Sequence, residues 1–190
     1  MTARIADRAE HGAIAVRRWH EDDAFGLQAA IAASADHLRP RMAWIDPWLD
    51  PDCDPIATVS GWNAEWEAGG DLYAGVFEDG AIAGAVGLHR RIGPGGLEIG
   101  YWLAQGCTGR GLATAAAGLA TDLAFRDPAI ERVRIAHCVS NTASEGIPRR
   151  LGYAEVGEVE AVRPLGPADT GTDRVWEVER AAWPGYASLA

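Results

Sequence analysis

The sequence predicts a mixed α/β fold: a mostly antiparallel central sheet of about six to seven strands flanked by helices. Three observations carry this reading. The middle of the chain alternates short apolar runs with turn residues, the pattern of a meander of antiparallel strands. Two stretches, before and after that meander, carry apolar residues at helical spacing. In the back half a strand leads through a glycine loop into a helix and then another strand, an order that requires a crossover connection.

IAVRRW (Ile14 to Trp19) reads as the first strand and HEDDAFGLQAAIAASADHL as a helix, with acidic residues in its first turn where they complement the helix dipole. The segment from Arg39 to Pro55 contains Pro40, Pro47, Pro51 and Pro55 and is predicted to be a rigid irregular loop. Ile56 to Ala68 is helical in character, with Trp62 and Trp66 on one face. A hairpin follows, DLYAGVFE and AIAGAVGLHRR around the turn dipeptide Asp79-Gly80, and LEIGYWLA (Leu97 to Ala104) adds a third strand. Gly109 to Phe125 reads as a helix ended at Asp127-Pro128, and ERVRIAHCV as a strand. A short helix around Ser144 to Leu151 leads to YAEVGEVEAV, and TDRVWEVERAAW supplies the last strand.

The chain has 190 residues, 48% hydrophobic and 23% charged, enough apolar material for one compact domain over 1–190 with a flexible extension at 1–12. Its net charge of −10, from 17 basic and 27 acidic residues, excludes nucleic-acid partners, which demand a basic surface. All the basic residues are arginine, so no lysine is present to form a Schiff base. Cys53, Cys107 and Cys138 are scattered and odd in number, so no disulfide framework and no metal site is predicted. No secretory leader and no apolar run of membrane-spanning length is read, and a cytoplasmic location without membrane partners is expected.

The central motif is Thr108-Gly109-Arg110-Gly111-Leu112-Ala113 between a strand and a helix. Glycines there let the backbone approach a ligand closely, and the unpaired amides of the helix's first turn face a bound phosphate. Two glycines before a helix also fit an ordinary tight connection. The segment resembles the pyrophosphate loop of the GNAT superfamily of N-acetyltransferases, with Gly111 and Ala113 in place and Thr108 where Gln or Arg is usual. LEIGYWL, GRGLATAAAGLATDLAF, NTASEGIPRRLGY and the early VRRWHEDDAFGLQAAIAASADHLRPRMAWI are similar to the RimJ/RimL-like branch, which acetylates ribosomal-protein N-termini. The resemblance covers nearly the whole chain. It implies the GNAT fold, with acetyl-CoA as acyl donor in a splay between the central strands. Cofactor contacts are implied at Trp102, Leu103, Thr108, Gly109, Arg110, Gly111, Leu112, Ala113, Thr114, Asn141 and Ser144, with the amide of Leu103 facing the oxyanion.

Moving an acetyl group from a thioester to an amine requires a neutral amine, a stabilised oxyanion and a proton for the departing thiolate. The tyrosine that many members place seven residues after the Asn of this segment is replaced by Pro148. In the RimJ/RimL-like branch a serine three residues after that Asn is the proton donor, and Ser144 matches it; Ser144 reads equally well as a helix N-cap. Glu98 is the candidate base, and it also fits an ion-pair partner of a nearby arginine. Alternation puts Glu98, Gly100 and Trp102 on one face of their strand and Ile99, Tyr101 and Leu103 on the other. Tyr101 and Tyr153 are further acids that also read as core. His20, His37 and His89 read as surface or capping residues rather than bases. Trp62 and Trp66 are expected in the core, Trp44 and Trp48 along an acceptor pocket.

The function implied is acetyl-CoA-dependent N-acetyl transfer to a primary amine, a protein or peptide N-terminus among the candidates. The alternatives are a non-catalytic acyl-CoA-binding module, or a succinyl-CoA donor held by an arginine among Arg39, Arg41, Arg90 and Arg91. Acceptor identity belongs to the loops Arg39 to Pro55 and Arg163 to Thr172. Dimers are common in the branch, and the apolar tail AAWPGYASLA is read either as a partner surface or as packing on its own core.

Overall fold

In the computed structural model, which describes residues 4–190, one eight-stranded sheet runs in the order β1-β2-β3-β4-β5-β6-β8-β7. The strands are β1 (Arg8–His11), β2 (Ile14–Arg18), β3 (Leu72–Glu78), β4 (Ala81–His89), β5 (Gly96–Leu103), β6 (Arg132–Cys138), β7 (Ala154–Glu160) and β8 (Thr172–Glu179). Every neighbouring pair is antiparallel except β5 and β6, the pair joined by the crossover. The helices are α1 (Ala24–Ala33), α2 (Ala35–Leu38), α3 (Asp46–Leu49), α4 (Pro55–Glu67), α5 (Leu112–Phe125) and α6 (Thr142–Arg150). Among the described residues no helix is long and apolar enough to cross a membrane.

The turn chemistry is as the sequence requires. Asp79 and Gly80 both take left-handed φ, +49° and +82°, the conformation whose twist matches a two-residue hairpin between β3 and β4. Asp54 caps α4 by accepting from the Ala57 amide at 2.9 Å, with Pro55 at the first helical position where a missing N–H costs nothing.

The eighth strand comes from the N-terminal stretch expected to be a flexible extension. β1 pairs with β2 from Arg8↔Arg17 to His11↔Ile14, and the buried Ile5 accepts through its carbonyl from Trp66 Nε1 at 2.8 Å. RAEH hides its strand character because only Ala9 of the four points inward. The proline-rich segment is less irregular than its composition implies, since it contains the single-turn helix α3.

Two cores form, one on each face of the sheet. On one face α5 crosses β1, β2, β4 and β5, and its run of Ala115, Ala116, Ala117, Ala120 and Ala124 brings the helix close to the strands. On the other face α1 and α4 cover β3 and β4, with α3 against α1, in a core that includes Trp19, Leu27, Ile31, Trp48, Val59 and Phe77. Trp66 belongs to the α5-side core, whereas Trp62 stacks on Tyr73 with ring centroids 4.8 Å apart on the opposite face.

The C-terminal tail packs on its own chain. The Asp122 carboxylate of α5 accepts from Trp183 Nε1 at 2.7 Å and from the Tyr186 amide at 3.1 Å, and the Tyr186 ring lies directly over Gly118. Hydrogen bonds to a charged acceptor contribute about 2 kcal/mol. Asp122→Ala should therefore lower stability by about 2 kcal/mol and expose the last ten or so residues to proteolysis, measured by urea unfolding and limited digestion.

Candidate active site

The site begins where two parallel strands part. β5 and β6 pair from Gly96↔Arg132 to Ile99↔Ile135, and beyond that point β5 stays with β4 while β6 stays with β8. The Ala104 amide donates to Ala83 on the β4 side at 2.9 Å. Alternation along the strand then turns the Leu103 and Tyr101 amides to the opposite edge, into the gap. A cavity of about 450 Å³ lies at this gap. It reaches from Tyr101, Asn141 and Ser144 on one side to the aromatic residues of the α1–α4 side on the other.

At the end of β5 the chain forms the glycine loop. Gly109 and Gly111 take φ of +74° and +80°, and a Cβ at either would meet nothing within 4 Å, so their conformation rather than crowding demands glycine. The first helical bond of α5 runs from the Ala115 amide to Gly111 at 3.1 Å, which leaves the amides of Leu112, Ala113 and Thr114 without an acceptor inside the helix. These amides and the positive end of a fourteen-residue helix make an anion cradle. Thr108 donates its hydroxyl to Gln105 within the loop, and Arg110 pairs with Glu78 at 2.8 Å. A residue not singled out from the sequence joins them: Arg150 at the end of α6 reaches Thr114 Oγ1 at 3.3 Å. Gly146 gives it room, because a Cβ there would lie 3.0 Å from the guanidinium.

α6 corrects the reading of Ser144 as a cap. Asn141 occupies the N-cap position, and Ser144 lies inside the first turn, its amide bonded to the Asn141 carbonyl at 3.1 Å, so Ser144 is not the cap. Pro148 is the seventh residue of the helix, where its missing N–H deprives the Ser144 carbonyl of its helical partner. Ser144 faces Tyr101. The Tyr101 hydroxyl is sealed from solvent without a hydrogen bond of good geometry, and burial pushes it up to about 12, against a smaller opposing pull from Ser144. Tyr153 is wholly buried on the α5 side and shares a 2.6 Å hydrogen bond with Thr121, so it is core.

On the acceptor side, Glu98, Gly100 and Trp102 share a face as alternation requires. Glu98 is 7% exposed, and one of its oxygens receives both Nε (2.9 Å) and Nη2 (2.5 Å) of Arg91. Trp44, 37% exposed, tilts against Trp102 at 6.0 Å, and Trp48 against Trp62 at 5.4 Å; all four line the cavity. The loops expected to shape the acceptor site are fastened together: Arg41 bonds Ser140 and Asp169, Arg163 bonds Asp169 and Asp173, and the Ala168 amide reaches Pro40. Arg41 and Arg91 line the cavity, each neutralised by a carboxylate, whereas Arg39 turns to Asp36 and Asp46 and Arg90 to Asp127. His20 and His37 lie outside the cavity, but His89 lines it, with Nδ1 2.7 Å from Asp71. Its place is set by long-range pairing.

A sheet opened between parallel strands, with a phosphate-binding helix terminus at the opening and a cavity passing through it, is the architecture of an enzyme that transfers an acyl group from a phosphate-bearing carrier. The family model for the acetyltransferase (GNAT) domain matches residues 14–154, and the chain belongs to that family. It is 27% identical over 151 residues to the putative ribosomal N-acetyltransferase YdaF of Bacillus subtilis (strain 168), covering 76% of this chain and 80% of that one. Its fold is that of RimJ of Mycobacterium smegmatis in complex with CoA-disulfide, with TM-score 0.77, 22% identity and coverage of 93% and 87% of the two chains. The microcin C7 self-immunity acetyltransferase MccE, in complex with acetyl-CoA and AMP, superposes with TM-score 0.79 at 19% identity, covering 89% and 93%.

The Tyr101 environment carries a pH signature. Its folded pKa of about 12 lies above the unfolded value of 10.0, so the stability it contributes is complete below pH 10 and is lost as pH rises toward 12. Tyr101→Phe should flatten the decline in unfolding free energy between pH 8 and pH 11 without lowering stability at neutral pH, since the hydroxyl it removes has no good partner. Urea titrations at the two pH values measure it.

Proposed function

We propose that this chain is an acetyl-CoA-dependent N-acetyltransferase that acts on a primary amine, with a protein or peptide N-terminus as acceptor, by direct attack in a ternary complex. The observation that carries this reading is the free edge of β5, which runs from the glycine loop at one end to the cavity at the other. The cofactor supplies an activated acetyl thioester. The amides from Gly109 to Thr114, with Arg150 beside them, suit its pyrophosphate, and the cradle needs little side-chain charge. The Leu103 amide is directed to the gap and suits either the carrier arm or a developing oxyanion. Ser144, released from capping, lies within the first turn of α6 and lines the cavity beside Asn141. Its hydroxyl assists the departing sulfur by hydrogen bonding rather than by full ionisation, because its intrinsic pKa is high.

An acyl donor carrying its own carboxylate is less favoured, since the arginines of the cavity are already paired with Glu98 and Asp169. The acceptor end is walled by Trp44, Trp48, Trp62 and Trp102, surfaces that accept an apolar residue next to the amine and attract its ammonium form. The acceptor loops suit a chain end better than a folded surface, because they are cross-tied over the cavity by Arg41 and Arg163.

Two measurements test the reading. Gly111→Val forces a β-branched residue to φ near +80°, a cost of about 1–2 kcal/mol, and should weaken CoA binding roughly five- to thirty-fold by calorimetry. Thiol release from acetyl-CoA with a panel of short peptides and amines should occur in the wild type and fall at least about tenfold in Ser144→Ala. CoA binding without turnover on any amine would instead establish a binding module.

A further inference from the structure

The attacking amine arrives largely as an ammonium ion, and one titratable nitrogen of the acceptor cavity is oriented to receive its proton. We propose that His89, held by Asp71, is the general base of this enzyme, and that Glu98 serves to fix Arg91. This rests on the N-acetyltransferase reading above.

The position of the imidazole is built into the sheet. His89 ends β4, and its ring folds back along the strand over Gly87, where a Cβ would come within 2.4 Å of Nε2. Gly87 pairs with Gly100, and a Cβ on Gly100 would lie 3.8 Å from the same nitrogen. Gly100 is the first residue of β5 beyond its last pair with β6. Two facing glycines therefore bare the floor of the sheet where the gap opens, and Nε2 lies over that floor. No protein group hydrogen-bonds to Nε2 among the described residues, and the side chain keeps 14% of its surface exposed.

Its orientation is fixed from behind. Asp71 Oδ2 accepts from Nδ1 at 2.7 Å, while Oδ1 accepts from the Arg90 amide at 2.7 Å. Burial by itself would raise the Asp71 carboxyl, but the His89 hydrogen bond, the Arg90 amide and nearby positive charge outweigh it and leave it below its ordinary value. A carboxylate so held keeps the proton on Nδ1 and presents the Nε2 lone pair to the cavity. Tyr73 meets the imidazole edge-on at 5.4 Å and Trp62 stacks on Tyr73, so the approaching ammonium meets aromatic faces beside the base.

The other candidates are engaged. Glu98 spends one oxygen on two donors of Arg91, and His137 has Nδ1 near the Cys138 carbonyl at 3.0 Å while Nε2 accepts from Trp176 at 3.1 Å. The charged and titratable groups around His89 are Asp71 and Tyr73 from the start of β3, Glu65 from α4, Arg90 and Arg91 after β4, and Glu98 from β5. Arg134 of β6, beside Glu98, is bound to Glu177.

In the proposed step an ammonium N–H bond breaks and an Nε2–H bond forms. The positive charge passes to the imidazolium next to Asp71 and the freed lone pair attacks the acyl carbon; the C–S bond then breaks, the departing thiolate takes up the second proton that the attacking nitrogen loses, and the imidazolium returns its proton to water after turnover. His89→Gln should lower kcat about 10²-fold or more, leave the KM for acetyl-CoA unchanged, and abolish the rise of wild-type kcat/KM with pH. Independently of turnover, ¹⁵N NMR of the free protein should show His89 as the Nδ1–H tautomer, and Asp71→Asn should remove that tautomer preference. Peptide acetylation that keeps its rate and pH profile in His89→Gln overturns the proposal, as does a profile abolished by Glu98→Gln alone. If the wild type acetylates no amine, the enzyme reading itself fails and takes this one with it.

Discussion

The site depends on the parting of β5 from β6. A parallel pair normally continues until one strand ends, because every unpaired amide in a covered sheet costs free energy. Here the pairing stops at Ile99↔Ile135 while both strands continue, each held by its other neighbour. Among the described residues no strand pairs with the edge that β5 leaves open beyond Ile99. The sheet tolerates this because β4 and β8 are antiparallel partners with long registers, seven residues in the case of β6 with β8. The crossover helix α5 starts at the mouth of the opening, so the loop that must be compact for packing is also the loop that presents amides outward.

The two faces then divide the labour. On the α5 face small side chains bring helix and sheet together, and polar groups such as Thr121 and Tyr153 pair with one another. On the opposite face the residues are large and aromatic and pack incompletely, which leaves the cavity. Charges that enter it are balanced at once: Arg91 by Glu98, Arg41 and Arg163 by Asp169, His89 by Asp71. A nearly neutral lining made from ion pairs keeps the amine's own charge as the variable to be controlled, in a chain whose total charge is −10.

Much of this was legible in the chain, and what was not has physical reasons. The hairpin, the glycine loop, α5 and the alternation of LEIGYWL rest on local geometry, so Gly109, Gly111, Glu98 and Trp102 fall where their spacing put them. β1 was missed because an edge strand with a single inward alanine has no apolar alternation to read. Ser144 was ambiguous because capping and lining a cavity use the same residue types, and the boundary of α6 decided between them. His89 was dismissed and Arg150 overlooked because their partners, Asp71 and Thr114, lie eighteen and thirty-six residues away in sequence. Register and helix packing bring such pairs together, and neither is written in a local window.

The facing pair Gly87 and Gly100 has a consequence for how such a protein diversifies. A side chain at Gly87 would evict the imidazole, and a Cβ at Gly100 would already touch it, so the floor of the cavity is narrowly constrained while its aromatic walls, borne on separate loops and helices, are free to drift. Descendants of this chain can exchange one acceptor for another by altering walls alone, and the inherited chemistry travels with two residues that have no side chains to lose.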